Sequence, residues 1–483
     1  MAGAWGTPRR IASARTAAAL IAACLGLAAL TLFAPSSPSY DPFAWIVWGR
    51  ELMPGIDGEP FVLAGGPSWK PLPVLFTTPF ALVGDAAPSL WLVVARAGLL
   101  LALAGAFALG RRLGGVLAGV VAAIALLLLA DVVSLAWRGA SEPLLLAALL
   151  WAFERELAGR RTLAFGLGVA AALIRPELLL FLAVYALWRW RTADGRERVV
   201  LIAGLASVVL LWVGIPALAG DPFAASSTAH NPSTRTSAGS ALRGDFGLAL
   251  ALVWALACVA VALRGRAPAV RALAVGAVAW LTLLAAMAAA GYASPARYAM
   301  PAAACACVLA GVTVAALAQH ARDARPGRLA LALLLALALA APAIERAAGL
   351  DDQIREGVAV AHAHDDLRAA VARSGGAAAM QRCAQAGWVA INHTTQSALA
   401  WELRVSLDRV ARVMSRPGLL VRAPRNTATG GPPPVTLGAP LRSKPVAQAG
   451  PWTVLAMRSA GTPFPLACES RKASGSPRRI PNI

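Results

Sequence analysis

One carboxylate, Asp41, stands in Ser39-Tyr40-Asp41-Pro42-Phe43, just after the first long apolar run and just before Trp45-Ile46-Val47-Trp48. An acid held at the edge of an apolar segment can serve a lipid-dependent enzyme as its base, provided it comes within hydrogen-bond reach of the proton it takes. Other ionisable residues gather at the corresponding ends of the early apolar runs: Arg50, Glu51, Lys70, Arg96, Asp131, Arg138, Glu142, Arg175 and Glu177. Charges at membrane depth are costly and usually functional, so this grouping predicts a polar cavity beneath the first loop. Arg96 lies about two turns inside its run, too deep for easy hydration.

Lys70 has a compositional argument of its own. The chain has 44 basic residues and only Lys70, Lys444 and Lys472 are lysine. In Pro67-Ser68-Trp69-Lys70-Pro71-Leu72-Pro73 its ammonium is a compact point charge suited to a phosphate or carboxylate. Plainer readings stand beside these. Asp41 before Pro42 fits a helix N-cap with proline at the first helical position. Arg175-Pro176-Glu177 fits a bend between two short helices, with its charges reaching the interface. Arg297-Tyr298 fits an interfacial anchor, and Lys70 fits an exposed loop lysine.

The histidines give less. His320 reads as interfacial, and His362 and His364 are two apart, so they leave a helix on different faces and suit joint metal ligation poorly. His230 lies in the polar loop from Asp221 to Arg243, which either closes over an acceptor or is simply solvated. No metal ligand set, glycine-rich phosphate loop or Ser-His-Asp pattern stands out.

The elements that must position these residues follow from composition. With 58% hydrophobic residues, 14% charged and mean hydropathy +0.64 over 483 residues, the chain is a polytopic membrane protein, since soluble domains carry about 25% charged residues. Apolar runs predict eleven spans near 16–34, 89–110, 116–136, 141–154, 162–174, 177–189, 199–219, 246–263, 270–290, 299–318 and 329–345. The fourth to sixth are too short to cross upright and alone, so they must be tilted, kinked or shielded. The first reads as a retained helix rather than a signal peptide.

A cytoplasmic N-terminus puts eighteen basic residues in the inner loops and seven in the outer loops before the last span, which satisfies the positive-inside rule. Asp41 and everything after Arg346 then face outward. The net charge of +20 sets orientation; nucleic-acid binding is rejected. Residues 1–345 are expected to form the membrane domain and 346–483 a small extracytoplasmic α/β domain. The latter opens with an amphipathic helix over Asp351 to Arg373, turns at Gly375-Gly376, and has strands at Trp388 to Ile391, Leu419 to Val421 and Trp452 to Leu455. Gly430-Gly431-Pro432-Pro433-Pro434 reads as loop and the last dozen residues as a tail. Cys383 and Cys468 are the two cysteines of this part, and an oxidising compartment would permit a disulfide between them.

Five motifs taken together resemble the GT-C integral-membrane glycosyltransferases: Tyr40-Asp41, Trp69-Lys70-Pro71-Leu72-Pro73, Ser141-Glu142-Pro143-Leu144, Arg175-Pro176-Glu177, and Ser294-Pro295-Ala296-Arg297-Tyr298-Ala299-Met300-Pro301. The nearest likeness is to the branch of aminoarabinose transferases and protein O-mannosyltransferases, which carry a Lys-Pro-Pro-Leu element and often an Arg-Tyr-Leu-Pro element. It covers roughly residues 16 to 318, and its specificity lies in the order and sidedness of the motifs. Two departures stand out: one carboxylate where the family often has a pair, and Trp69 where the aminoarabinose transferases have glutamate. They leave the sugar and any divalent metal open, and no residue pattern supports a metal.

The resemblance implies an all-α polytopic domain of GT-C type that moves a sugar from a polyprenyl-phosphate carrier to a glycan, lipid or protein acceptor on the outer face. Asp41 would be the base of an inverting transfer. Lys70, Arg138, Arg175, Arg297 and Arg96 would face the donor phosphate. Glu142, Glu177, Tyr40, Trp69 and His230 would orient these groups or meet sugar and acceptor. The arginine and alanine bias suggests a GC-rich bacterial genome and a cell-envelope role, with decaprenyl-phosphate arabinose or mannose as conceivable donors. The rival reading from another class is a transporter or lipid flippase, which would keep its charges near the bilayer midplane between repeated halves.

Overall fold

A computed structural model describes residues 8–56, 60–63, 65–230, 237–247, 251–322, 326–384, 388–414, 416–423, 435–436 and 441–464. Among the described residues five stretches are long and apolar enough to cross a membrane: Arg15–Phe33, Pro71–Gly114, Gly195–Leu218, Pro268–Ala289 and Ala296–His320. Shorter apolar helices cover Val116–Leu127, Arg161–Ala172, Leu178–Trp190 and Ala251–Arg264. Leu187, Leu210 and Val275 point outward and exposed, as side chains facing lipid do. Ala296–His320 is the most enclosed of the five, with 83% of its apolar window buried. Small residues permit that closeness: a Cβ on Gly311 would lie 2.3 Å from the Ala118 carbonyl oxygen, so helix backbones touch.

Nine helices concern the site and are numbered in chain order: α1 (Pro8–Leu30), α2 (Tyr40–Leu52), α3 (Pro71–Phe80), α4 (Ala87–Gly114), α5 (Glu142–Leu157), α6 (Arg161–Ala172), α7 (Met300–Arg322), α8 (Pro326–Arg373) and α9 (Gln396–Leu403). The span expected over 116–136 is not one helix. It stops at Leu127, passes through Asp131 at φ 61, and resumes as Val132–Trp137. No glycine or proline marks that break, and the apolar pattern continues through it.

α8 is 48 residues long and runs without interruption across position 345, so one helix joins the apolar part to the C-terminal part. It ends at Arg373, where Gly375 and Gly376 take φ 89 and 82, a conformation glycine adopts at little cost. Beyond it lies a five-stranded mixed sheet in the order β2-β1-β4-β6-β5, from β1 (Val389–Ala390), β2 (Val410–Ala411), β4 (Gly418–Arg422), β5 (Leu441–Ala449) and β6 (Trp452–Ser459); β3 (Val413–Met414) pairs outside it. β1 runs parallel to β2 and β4, and β6 runs antiparallel to both of its neighbours. The expected strands are present. β5 was not expected: it is an edge strand holding Lys444 and Pro445 with a register shift between Pro445 and Ala447, features that protect edges and erase alternation.

Candidate active site

α2 starts where Ser39 N donates to the Arg138 carbonyl at 2.9 Å. Ser39 is therefore the N-cap and Asp41 falls inside the first turn, which corrects the expectation that Asp41 itself caps the helix. Its carboxylate is free to face outward. α3 starts at Lys70, extended at φ −141, with proline next, and Leu72 N donates to the Leu173 carbonyl at the end of α6. Ser141 and Pro143 open α5. Arg175 sits in the turn after α6, and Arg297 in a short 3-10 segment, Ala296–Ala299, leading into α7. Trp280 Nε1 donates to the Tyr298 carbonyl at 2.8 Å and fixes that segment.

These starts converge on Glu142. Its Oε1 lies 3.1 Å from Arg175 Nη2, 3.5 Å from Arg297 Nε and 3.8 Å from Lys70 Nζ. Glu142, Lys70 and Arg175 are 2%, 6% and 4% exposed, so the charges interact where screening is weak. Lys70 also donates to Ser141 Oγ at 2.9 Å and lies 5.2 Å above the Trp45 ring. Arg175 stacks on Tyr298 with its guanidinium carbon 3.3 Å from the ring centre. Burial lowers the Lys70 pKa, with Glu142 opposing that shift. For Arg175 burial acts downward, but Tyr298, Glu177 and Glu142 outweigh it and the net shift is upward.

Arg297 extends the cluster to Asp41, donating from Nη2 to Oδ2 at 3.4 Å. Asp41 Oδ1 has no hydrogen-bond partner among the described residues. Both residues line a cavity of about 230 Å³ with Tyr40, Arg138, Ala140, Val360, His364 and Thr394. Three cations, Lys70, Arg175 and Arg297, thus meet three carboxylates: Glu142, Asp41 and Glu177, whose charge also acts on Arg175.

The C-terminal part forms one wall. Ser397 Oγ donates to the Tyr40 carbonyl at 2.6 Å, the Tyr40 hydroxyl donates to Gln396 Oε1 at 3.3 Å, and the Tyr40 ring lies 4.4 Å from His393. Arg50 Nη2 donates to the Val405 carbonyl at 3.0 Å. α9 is thereby seated on the helix that carries Asp41.

Other expected residues lie apart. Arg96 is turned away from the cluster: it donates to Thr31 Oγ1 at 2.7 Å and the Trp137 carbonyl at 3.0 Å, beneath the Trp137 ring. α4 points it at α1, so its role is to join helices. Trp69 is fully buried against Trp48 and Phe61, with Nε1 donating to the Leu211 carbonyl, and does not line the cavity. His230 is exposed and packs edge-on against Tyr292. Arg138 lines the cavity but is paired with Glu356 at 3.4 Å, and Glu177 acts on Arg175 only through its charge. Sequence reasoning did not place Thr394, Ser37 or Gln396 at the site and weighed His364 only as a metal ligand; the Ser37–His364 and Tyr40–Gln396 pairs lie 327 and 356 positions apart. No group of three or more His, Cys, Asp or Glu side chains suited to a metal occurs among the described residues. Cys383 is disulfide-bonded; Cys468, the expected partner, and the glycine-proline stretch at 430–434 lie outside the described residues.

No family model matches the chain, and no curated protein matches it. Among solved structures it is similar to ArnT from Cupriavidus metallidurans bound to undecaprenyl phosphate, with TM-score 0.55 and 15% identity over 91% of this chain and 97% of that one. The apo state of the same protein gives TM-score 0.52 and 16% identity over 92% and 98%. At such identity the likeness shows a shared fold.

Proposed function

We propose, from the premise that this membrane chain has the fold of the GT-C superfamily, that it is an inverting glycosyltransferase using a polyprenyl-phosphate-linked sugar as donor. The carrying observation is the convergence of Lys70, Arg175 and Arg297 on the buried Glu142, joined to Asp41 through Arg297. Cations fixed in a poorly hydrated site stabilise an anion that develops beside them, and the phosphate of a lipid-borne donor is such an anion. The fold neighbour's binding of undecaprenyl phosphate supports the same donor class here.

In this reading Asp41 Oδ1 accepts the proton of an acceptor hydroxyl in the cavity. The freed oxygen attacks the anomeric carbon as the bond from that carbon to the phosphate oxygen breaks. The bonding pair leaves with the polyprenyl phosphate, whose charge Lys70, Arg175 and Arg297 stabilise more strongly than water would. Attack opposite the leaving group inverts the anomeric centre. Glu142 orients the three cations and takes no proton. The charges sit at helix starts that meet in one cluster, an arrangement that favours transfer over a transport site between repeated halves. A donor borne on lipid fits a site outside the cytoplasm, with the N-terminus inside. No metal enters this sequence of steps.

The test is a transfer assay with purified protein and a panel of polyprenyl-phosphate sugars, including arabinose and mannose. Wild type should transfer and invert, and well-folded Asp41→Asn should lose transfer. Turnover retained by that variant removes Asp41 from the mechanism.

A further inference from the structure

We propose that His364 is an acceptor-binding residue: its Nε2 exchanges a hydrogen bond with a hydroxyl of the sugar or alcohol entering the Asp41 cavity, while Ser37 holds the ring in place. This deepens the transferase reading and rests on it.

His364 lies on α8 between two cavities, lining both the one that holds Asp41, Arg297 and Thr394 and one of about 150 Å³ that holds Ser37, Phe43 and Arg368. It is 8% exposed, and its Nδ1 lies 2.7 Å from Ser37 Oγ in the segment between α1 and α2. Phe43, two residues after Asp41, meets the imidazole edge-on with ring centres 5.5 Å apart. The ring is therefore fixed by the same segment that presents the base. Its second nitrogen, Nε2, has no hydrogen-bond partner among the described residues.

A histidine that merely ties α8 to the preceding segment accounts for Nδ1. It leaves the second ring nitrogen without a protein partner among the described residues and open to whatever enters. A bound hydroxyl would complete it. Ser37 Oγ makes no other hydrogen bond among the described residues and can donate or accept. Nε2 can therefore present a lone pair or an N–H, and a hydroxyl matches either.

The charge state points to the same ligand class. Burial, reinforced by Arg368, holds His364 down at about 4, so the ring is neutral at neutral pH. It thus offers a hydrogen bond to an uncharged hydroxyl without competing with the cations for the donor phosphate. Phosphate and acceptor would be received on opposite sides of Asp41, by permanent charge on one and by a neutral imidazole on the other.

The test uses full-length protein in lipid nanodiscs, polyprenyl-phosphate mannose and arabinose as donors, and n-octyl glycosides as acceptor probes, with transfer to the glycoside and release of free sugar to water followed separately. His364→Phe keeps the aromatic packing and removes Nε2; it should raise the glycoside KM about tenfold, the worth of one hydrogen bond. Donor KM and donor hydrolysis should stay as in wild type, and His364→Gln, which restores a polar atom near Nε2, should recover much of the loss. A glycoside KM unchanged in His364→Phe overturns the proposal, as does a parallel fall in donor affinity and hydrolysis, the sign of a purely structural residue. Asp41→Asn run alongside separates the two ideas: if it still transfers, the base assignment fails whatever His364 does.

Discussion

Arg297 donates to Asp41 at 3.4 Å although 256 positions separate them, and its Nε simultaneously faces Glu142 at 3.5 Å. A planar guanidinium can serve two carboxylates at once, so this side chain ties Asp41 to the Glu142 cluster. Arg297→Gln should lower kcat/KM about a hundredfold, comparable with removing one fixed transition-state donor. Arg297→Lys should keep the charge but lose one contact and lie between the two. Steady-state kinetics at saturating acceptor decides, and an Arg297→Gln enzyme close to wild type would disconnect Asp41 from the cluster.

Glu142 holds Lys70, Arg175 and Arg297 within 3.8 Å of a single carboxylate oxygen, and two of those cations are nearly as buried as the carboxylate. Without it, like charges face one another in a poorly hydrated pocket. Breaking a buried ion pair from one side costs about 3–5 kcal/mol, so Glu142→Gln should melt clearly below wild type. Added polyprenyl phosphate should restore part of the difference, because an anion then replaces the lost carboxylate. Thermal melts with and without the lipid check both statements. Equal melting in the absence of lipid would mean that Glu142 does not hold the cluster together.

The apolar runs at 16–34, 270–290 and 299–318 were legible because nothing but burial or lipid explains such runs, and helices occupy them. The interruption at Asp131 was not, since a left-handed aspartate leaves the apolar pattern unchanged. In the site, sequence located the charges on one side but could not choose their partners. Arg96 is as buried as Arg175, yet α4 gives it to Thr31 and Trp137. His364 sat visibly on an amphipathic helix, while its partner Ser37 is 327 positions away. Only long-range packing decides such pairs.

Gly49 sets the register between the helix carrying Asp41 and the helix that Lys70 begins. A Cβ there would lie 2.5 Å from Thr77 Oγ1 and 2.6 Å from its carbonyl carbon, and Thr77 Oγ1 already donates to the Trp45 carbonyl at 2.7 Å. Backbone cannot swing aside as a flexible side chain can. Gly49→Ala should cost about 1–3 kcal/mol and lower transfer further by moving Asp41 against Lys70. Gly26→Ala, with nothing within 4 Å, is the matched control in an apolar helix. Equal melting points for the two variants would show that the α2–α3 contact has slack.

Lys70 gives the site an alkaline limit. Burial lowers its pKa despite Glu142, so in the free enzyme the ammonium loses its proton below the ordinary lysine value of about 10.4. Phosphate binding requires the charged form, and bound phosphate favours that form in turn. The sign is therefore fixed: donor kcat/KM falls as pH rises through the depressed value of the free enzyme, and kcat falls only at higher pH, where the donor-bound state loses the proton. Lys70→Arg keeps its charge across the whole range and should abolish the alkaline limb, even if the longer side chain lowers the plateau. Profiles of kcat and kcat/KM for both proteins check this, and an identical limb in Lys70→Arg would assign it to another group.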